Sequence, residues 1–143
     1  MCCGESRVQG LSIGSAIGLT AAIASVAAAA PARAVELEQL VGRWSIPEYD
    51  ECSYPDNSEG APLAIRRDGD EIWIGNYGWL CSVPVKDWKK DGGFLVGSAK
   101  GCGMEGGDDT FDETFVLGLN GKDELLMSAD ATDGLRRCPA VAE

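Results

Sequence analysis

The sequence predicts an all-β fold: a small antiparallel meander of about eight strands with a short N-terminal helical turn and two disulfides. Short alternating apolar segments recur between turn dipeptides of the Asp-Gly and Asn-Gly kind. No second long helical pattern interrupts them. Four widely spaced cysteines follow an apolar N-terminal segment, as is typical of exported domains. A closing barrel is the simplest architecture, and a half-open sandwich is the alternative.

The N-terminal segment has the order of a secretory signal. Val8–Ala32 carries no charged side chain, Arg7 precedes it, and Ala32-Arg33-Ala34 supplies small residues at the two positions that a signal peptidase reads. We therefore predict a signal peptide at residues 1–34 and a single domain at residues 35–143. The alternative is an uncleaved anchor, because the apolar run reaches the roughly 20 residues that span a bilayer. Its many alanine and hydroxyl side chains favour cleavage.

The composition of the predicted mature chain excludes several classes of function. Removing residues 1–34 leaves 109 of the 143 residues, and the loss of Arg7, Arg33 and Glu5 takes the net charge from −11 to −12. This charge disfavours binding to nucleic acid or to an anionic membrane surface. The chain has no histidine, which excludes Ser-His-Asp and Cys-His nucleophilic machinery and removes the usual zinc and copper ligands. We expect a periplasmic or secreted protein with no cofactor and no membrane contact after cleavage.

The mature chain begins with one or two helical turns at Val35–Val41. Alternation over Gly42–Ile46 predicts a first strand that places Trp44 and Ile46 on one face. Residues 48–62 are polar and rich in turn formers, so they are interpreted as a loop held by Cys52.

The clearest local signal is a hairpin around Asp68-Gly69. If these two residues form a type I′ turn, Arg66 faces Glu71 and Ala64 faces Trp73. One face of the hairpin is then wholly apolar, and its members are Leu63, Ile65, Ile72 and Ile74. Trp73 points to the opposite face, beside Arg66 and Glu71.

The next turn predicts the disulfides. A turn centred on Asp91-Gly92 pairs residues whose numbers add up to 183, and Cys81 and Cys102 meet this condition. We therefore predict a Cys81–Cys102 bond, which leaves Cys52–Cys138 as the second. Four cysteines allow three pairings, so this is a real choice. The segment between the two strands contains Trp88 among lysines, and we interpret it as an exposed hairpin loop.

The C-terminal third continues the meander. Phe111, Phe115, Leu117 and Leu119 share parity, so Thr110–Asn120 is predicted as a long strand with that face inward. Asn120-Gly121 is expected to turn the chain into a strand at residues 124–129, and Asp133-Gly134 into a last strand at residues 135–138.

The opening of the mature chain resembles a known family. Leu40-Val41-Gly42-Arg43-Trp44, a helical turn leading into G-x-W on the first strand, is similar to the start of lipocalin-like barrels. It also resembles small periplasmic inhibitors of serralysin-type metalloproteases, which are eight-stranded barrels. The resemblance implies that a basic residue of the last strand, Arg136 or Arg137, packs over Trp44. The layout of tryptophan, four cysteines and Arg-Cys-Pro is also similar to that of uncharacterised exported bacterial proteins, and this likeness implies no activity.

Four residues form the candidate binding site: Trp73, Tyr77, Trp79 and Arg66. An outward tryptophan beside an arginine and a tyrosine can serve as a flat platform for a sugar, a peptide or a protein partner. The alternative is that another segment covers Trp73, or that Arg66 only stacks on it as a surface cation–π pair.

No metal or catalytic residues are predicted. The acidic run from Glu105 to Glu113 lacks the spacing of a calcium site and is interpreted as a solvated loop. Carboxylates are abundant along the whole chain, which leaves a glycosidase-type pair as an alternative, although no pair is marked as buried. We therefore expect a binding or inhibitor-like module, without catalysis, for an unknown protein or small ligand. The alternatives are a small carboxylate-dependent hydrolase and an envelope protein with a structural role only.

Overall fold

The protein is described by a computed structural model that covers residues 34–140. The predicted signal peptide up to residue 33 lies outside the described residues, as do residues 141–143. The elements follow one another as a short helix and nine strands: α1 Leu37–Leu40, β1 Gly42–Ser45, β2 Leu63–Asp68, β3 Glu71–Asn76, β4 Trp79–Pro84, β5 Lys89–Asp91, β6 Phe94–Met104, β7 Thr110–Leu119, β8 Leu125–Leu126 and β9 Arg136–Arg137. Within residues 34–140, none of the helices has the length and apolarity needed to cross a membrane.

The strands form an antiparallel meander that nearly closes into a barrel of eight strands. Their spatial order is β8-β7-β6-β4-β3-β2-β1-β9, and the short β5 pairs with β6 beside this path. Leu125 and Leu135 exchange two backbone hydrogen bonds of 2.9 and 2.8 Å, which join β8 to the chain just before β9. This contact brings the two ends of the sheet together and confirms the barrel rather than the half-open sandwich.

The barrel interior is filled by the inward side chains of alternate strand positions, as a period of two requires. Trp44 is wholly buried there, and its indole N–H donates to the carbonyl oxygen of Leu40 at 2.9 Å. Around it lie other side chains that are at most 1 % exposed: Ile65, Ile72, Ile74, Val83 and Leu117. The prediction for Ile46 was wrong, because β1 ends at Ser45 and Ile46 is 40 % exposed.

The helical turn closes one end of the barrel. α1 is preceded by a capping box in which Glu36 and Gln39 satisfy each other's backbone N–H groups. Leu40 is fully buried in the core. Ion pairs from Glu38 to Arg67 and from Glu36 to Lys90 tie the helix to the strand ends beneath it.

Both predicted disulfides are confirmed. Cys81–Cys102 has a Cα–Cα distance of 4.3 Å and Cys52–Cys138 one of 5.3 Å. The strands β4 and β6 pair Leu80 with Gly103, the register that places the first two cysteines opposite each other. Cys52–Cys138 fastens the loop after β1 to the end of β9. Two disulfides indicate an oxidising environment.

The first hairpin forms with the predicted faces but in a different register. Asp68 pairs with Glu71, so the turn residues are Gly69 and Asp70 rather than Asp68 and Gly69. Of these two turn residues, only Gly69 has a positive φ, at +57°. This fits a type II′ turn with glycine first rather than the predicted type I′ turn. Arg66 therefore faces Trp73 instead of Glu71. Each residue of β2 therefore pairs with a residue two positions further along β3 than predicted. Because side chains alternate with a period of two, the apolar face still points inward.

The segment between β4 and β6 also differs from the prediction. Asp91 pairs with Phe94, so the local turn consists of two glycines. The preceding Trp88 is 9 % exposed rather than displayed in a loop. A Cβ atom at Gly97 would lie 2.8 Å from the Trp88 ring, so the indole packs directly against the backbone of β6. Trp88 is therefore part of the core.

The C-terminal strands are shorter than predicted. Phe115, Leu117 and Leu119 are buried as expected, and Phe111 packs against the same core. The turn after β7 is wider than two residues, because the N–H of Asn120 donates to the carbonyl of Glu124 at 3.1 Å. β8 therefore keeps only two residues of the strand expected at residues 124–129.

Candidate ligand-binding groove on the barrel wall

The outer face of β2, β3 and β4 presents two adjacent rows of side chains. The strand register defines the first row as Ala64, Gly75 and Leu80, and the second as Arg66, Trp73 and Ser82. The first row is small except for Leu80, which is 47 % exposed. The Leu80 side chain lies over Gly75, because its Cδ1 is 3.1 Å from the place that a Cβ atom of Gly75 would take. The first row therefore forms a shallow apolar strip beside the indole of Trp73.

A groove with a volume of about 570 Å³ lies over this face. The loop after β1 contributes Asp56, Asn57 and Pro62 to its lining, and the sheet contributes Trp73 among others. Trp73 is half-buried, so the loop does not cover the indole completely. The groove is open to solvent and lies outside the barrel rather than within it.

The loop that walls the groove is held by several contacts. Arg43, on the outer face of β1, donates from Nε to Oδ1 of Asp56 at 2.7 Å. It also donates to the carbonyl oxygens of Cys52, at 3.3 Å, and Tyr54. Arg66 forms a second ion pair with Asp56. With the disulfide at Cys52, these contacts fix the position of the loop relative to the sheet.

The structure brings together two of the four predicted site residues. Arg66 and Trp73 are direct cross-strand partners and both line the groove. Trp79 instead packs against the core, with its ring stacked on Phe115 at 6.2 Å between centroids. Together with Phe111 and other residues, it lines a second, smaller cavity of about 320 Å³.

Tyr77 lies in the turn between β3 and β4, away from the lining of the groove, and is 42 % exposed. The hydrogen bond between its hydroxyl and Glu105 raises the pKa of the phenol above its ordinary value of 10.0, and the charge of Glu105 adds to the effect. Removing the phenol proton would break this hydrogen bond and place two negative charges side by side. Tyr77 therefore ties its turn to the end of β6.

Several groove residues were missed by the sequence analysis: Asp56, Asn57, Asn76, Leu80 and Arg67. The loop residues among them follow Cys52, whose predicted bond to Cys138 placed the start of the loop beside the last strand. That bond is a signal for the loop, but it did not place residues 56 and 57 over the groove. Leu80 had no such signal, since its outward orientation follows only from the pairing of β4 with β3.

The acidic run from Glu105 to Glu113 covers the loop after β6 and the start of β7, and Asp112 in β7 shows ordinary surface electrostatics. Asp112 accepts a hydrogen bond from Lys100 at 2.8 Å and one from the backbone N–H of Gly101 at 3.1 Å. These contacts lower the pKa of Asp112 below its usual value. Among residues 34–140, no group of three or more histidine, cysteine or acidic side chains is arranged to hold a metal ion.

The chain matches no protein-family model, no curated protein and no solved structure. No ligand or activity can therefore be carried over from a relative. The geometry of the groove has to indicate what the protein does.

Proposed function

We propose that the protein is an exported binding module without catalytic activity, and that the groove between the residue 56–62 loop and the outer face of β2–β4 holds its ligand. The apolar segment at residues 8–32 and the two disulfides support a periplasmic or secreted location. The groove volume of about 570 Å³ falls within the roughly 300–1,000 Å³ that is common for small-ligand sites.

The half-buried indole of Trp73 in a concave site carries this proposal. A large aromatic side chain gains free energy when a ligand covers it, and its ring gives the ligand an orientation. Polar side chains surround it, and one of them, Asp56, is held in position by both Arg43 and Arg66. Apolar surface together with positioned polar groups is the usual composition of a ligand site.

The barrel interior is a poor candidate for the same role. Trp44 and the buried side chains around it already fill the space that a ligand would need. The guanidinium of Arg137 lies 4.1 Å from the centre of the Trp44 ring, in the place that the resemblance to lipocalin-like barrels implied for Arg136 or Arg137. That likeness supports a proposal about fold only, and it places no ligand.

A binding role fits the groove better than hydrolysis does. A carboxylate-dependent hydrolase needs two carboxyl groups that face one substrate, one of them able to donate a proton. The Asp56 carboxylate is instead occupied by two guanidinium groups. Its role in the groove is to position the loop.

A ligand-detected NMR screen of residues 35–143 against a diverse library of small soluble molecules tests the proposal. We expect hits that bind the wild type and lose binding in Trp73→Ala. Tyr49→Ala is the matched control, because Tyr49 is 62 % exposed and lies outside the groove lining. If Trp73→Ala binds the hits as tightly as the wild type, Trp73 is not part of the ligand site. A lower free energy of unfolding in the same variant would then show that Trp73 only covers the sheet.

A further inference from the structure

We propose that the groove recognises an uncharged carbohydrate, either free or as part of a larger glycan. This inference rests on the proposed function, because it names the ligand class of the same groove. Three properties of the groove support it: a shallow apolar strip beside an indole, a balance of charges, and a mixture of hydrogen-bond donors and acceptors.

The shallow apolar strip consists of Ala64, Gly75 and the side chain of Leu80, whose Cδ1 lies over Gly75. A Cβ atom at Gly75 would lie 2.2 Å from the carbonyl oxygen of Trp79 and 2.9 Å from the Cα of Leu80, so only glycine fits there. Its neighbour across the strands, Ala64, adds one methyl group. A pyranose ring has an apolar C–H face, so it can rest on the methyl groups of Ala64 and Leu80 and against the Trp73 indole.

The charges that line the groove cancel. Arg66 and Arg67 are balanced by Asp56 and Asp68, although the chain as a whole carries a net charge of −11. Arg66 is paired with Asp56, and Arg67 is paired with Glu38 of α1. An anionic ligand would have to displace Asp56 or Glu38 from these arginines, whereas an uncharged ligand would not.

The polar groups of the groove suit hydroxyl groups, which donate and accept at once. Asn57 and Asn76 line it with amides, and Asp68 offers acceptors. The Oδ1 atom of Asn76 accepts from the N–H of Gly78 at 2.9 Å, which leaves its amide N–H groups as donors. A polyhydroxylated ligand can use both kinds of group.

An extended peptide fits this surface less well. Peptides that bind to sheets add a strand to an unpaired edge. β2 is already paired with β1 and β3, and β3 with β2 and β4. The floor of the groove therefore has no main-chain groups left to pair with a peptide backbone.

The test is an amide chemical-shift titration of residues 35–143 with chitotetraose, cellotetraose and maltotetraose, followed by co-sedimentation with insoluble chitin and cellulose. Choline, benzoate and a neutral tripeptide are titrated in parallel as cationic, anionic and peptide probes. We expect at least one tetrasaccharide to shift the amides of the first row and of Asn57. We also expect Trp73→Ala to weaken its binding roughly tenfold or more, Trp73→Phe to weaken it less, and Tyr49→Ala to leave it unchanged.

Binding to the tetrasaccharide alone indicates a free sugar, and additional co-sedimentation indicates a polymer. If no tetrasaccharide shifts the groove amides while choline, benzoate, the tripeptide or a library compound does, the carbohydrate assignment is wrong while the groove remains a ligand site. If none of the probes and no member of the small-molecule library binds, both the assignment and the proposed function fail. Thermal unfolding of each variant, monitored by circular dichroism, shows whether a loss of binding merely reflects unfolding.

Discussion

Removing the Cys52–Cys138 disulfide should destabilise the protein more than removing Cys81–Cys102. The two bonds close loops that span 86 and 21 residues respectively. In the chain-entropy account the longer loop corresponds to about 4–5 kcal/mol and the shorter one to about 3 kcal/mol. For a domain with a total stability of about 5–15 kcal/mol, either loss is large.

The assay is equilibrium urea unfolding of Cys52→Ala/Cys138→Ala and Cys81→Ala/Cys102→Ala at pH 7, followed by tryptophan fluorescence. We expect the first double variant to have the lower free energy of unfolding. Lost core packing acts against this expectation, because Cys81 and Cys102 are both at most 2 % exposed and their truncation destabilises the second double variant further. If the second variant is nonetheless the less stable one, the prediction is wrong, and lost core packing at Cys81 and Cys102 outweighs the difference in loop closure.

The same variant links stability to the groove. Cys52 anchors the loop that supplies Asp56 and Asn57, so Cys52→Ala/Cys138→Ala should release one wall of the groove. We therefore expect ligand binding to weaken under conditions in which the variant is still folded. Unchanged affinity in the folded variant would mean that the ion pairs of Asp56 hold the loop without help from the disulfide.

Three further predictions follow from single side chains. Arg137→Ala should lower the free energy of unfolding in urea by about 1–3 kcal/mol, since it removes a cation–π contact and two hydrogen bonds to carbonyl oxygens. Arg136→Ala, on the same strand, is the control and should show almost no change in the same assay. Gly97→Ala should lower the free energy of unfolding by about 1–3 kcal/mol, because the new Cβ would lie 2.8 Å from the Trp88 indole. Gly103→Ala is the control, since a Cβ there has no atom within 4 Å. Equal melting temperatures of the two variants would contradict this prediction. Tyr77→Phe should remove a phenol transition above pH 10.0 from ultraviolet difference spectra. The raised pKa means that this tyrosine stabilises the fold at lower pH and loses that contribution as the pH rises through it.

The sequence predicted those parts of the fold that depend on parity and pairing. Alternation identified the inward side chains of β3 and β7, and the spacing of the cysteines gave both disulfides. It failed at the turns, because Asp68-Gly69 and Gly69-Asp70 are both acceptable two-residue turns and the choice depends on how β2 and β3 pair with their other neighbours. Trp88 was misjudged for a related reason, since the turn at residues 92–93 brings it beside the bare backbone of Gly97 on the neighbouring strand β6.

The candidate site was predicted in part. The outward orientation of Trp73 and its proximity to Arg66 follow from strand parity, and the structure shows both. The groove itself needs the loop, whose position depends on Arg43 reaching across to Asp56. A contact of this kind between a strand and a polar loop leaves no periodic signal in a sequence.

The most direct test of the groove is an amide chemical-shift map of residues 35–143 with the tightest-binding compound from the screens. We predict shifts along the row of Ala64, Gly75 and Leu80, at Trp73, and in the residue 56–62 loop. Shifts confined instead to the second cavity, which Trp79 and Phe111 line, or to the buried residues around Trp44, would contradict the assignment of the groove as the ligand site.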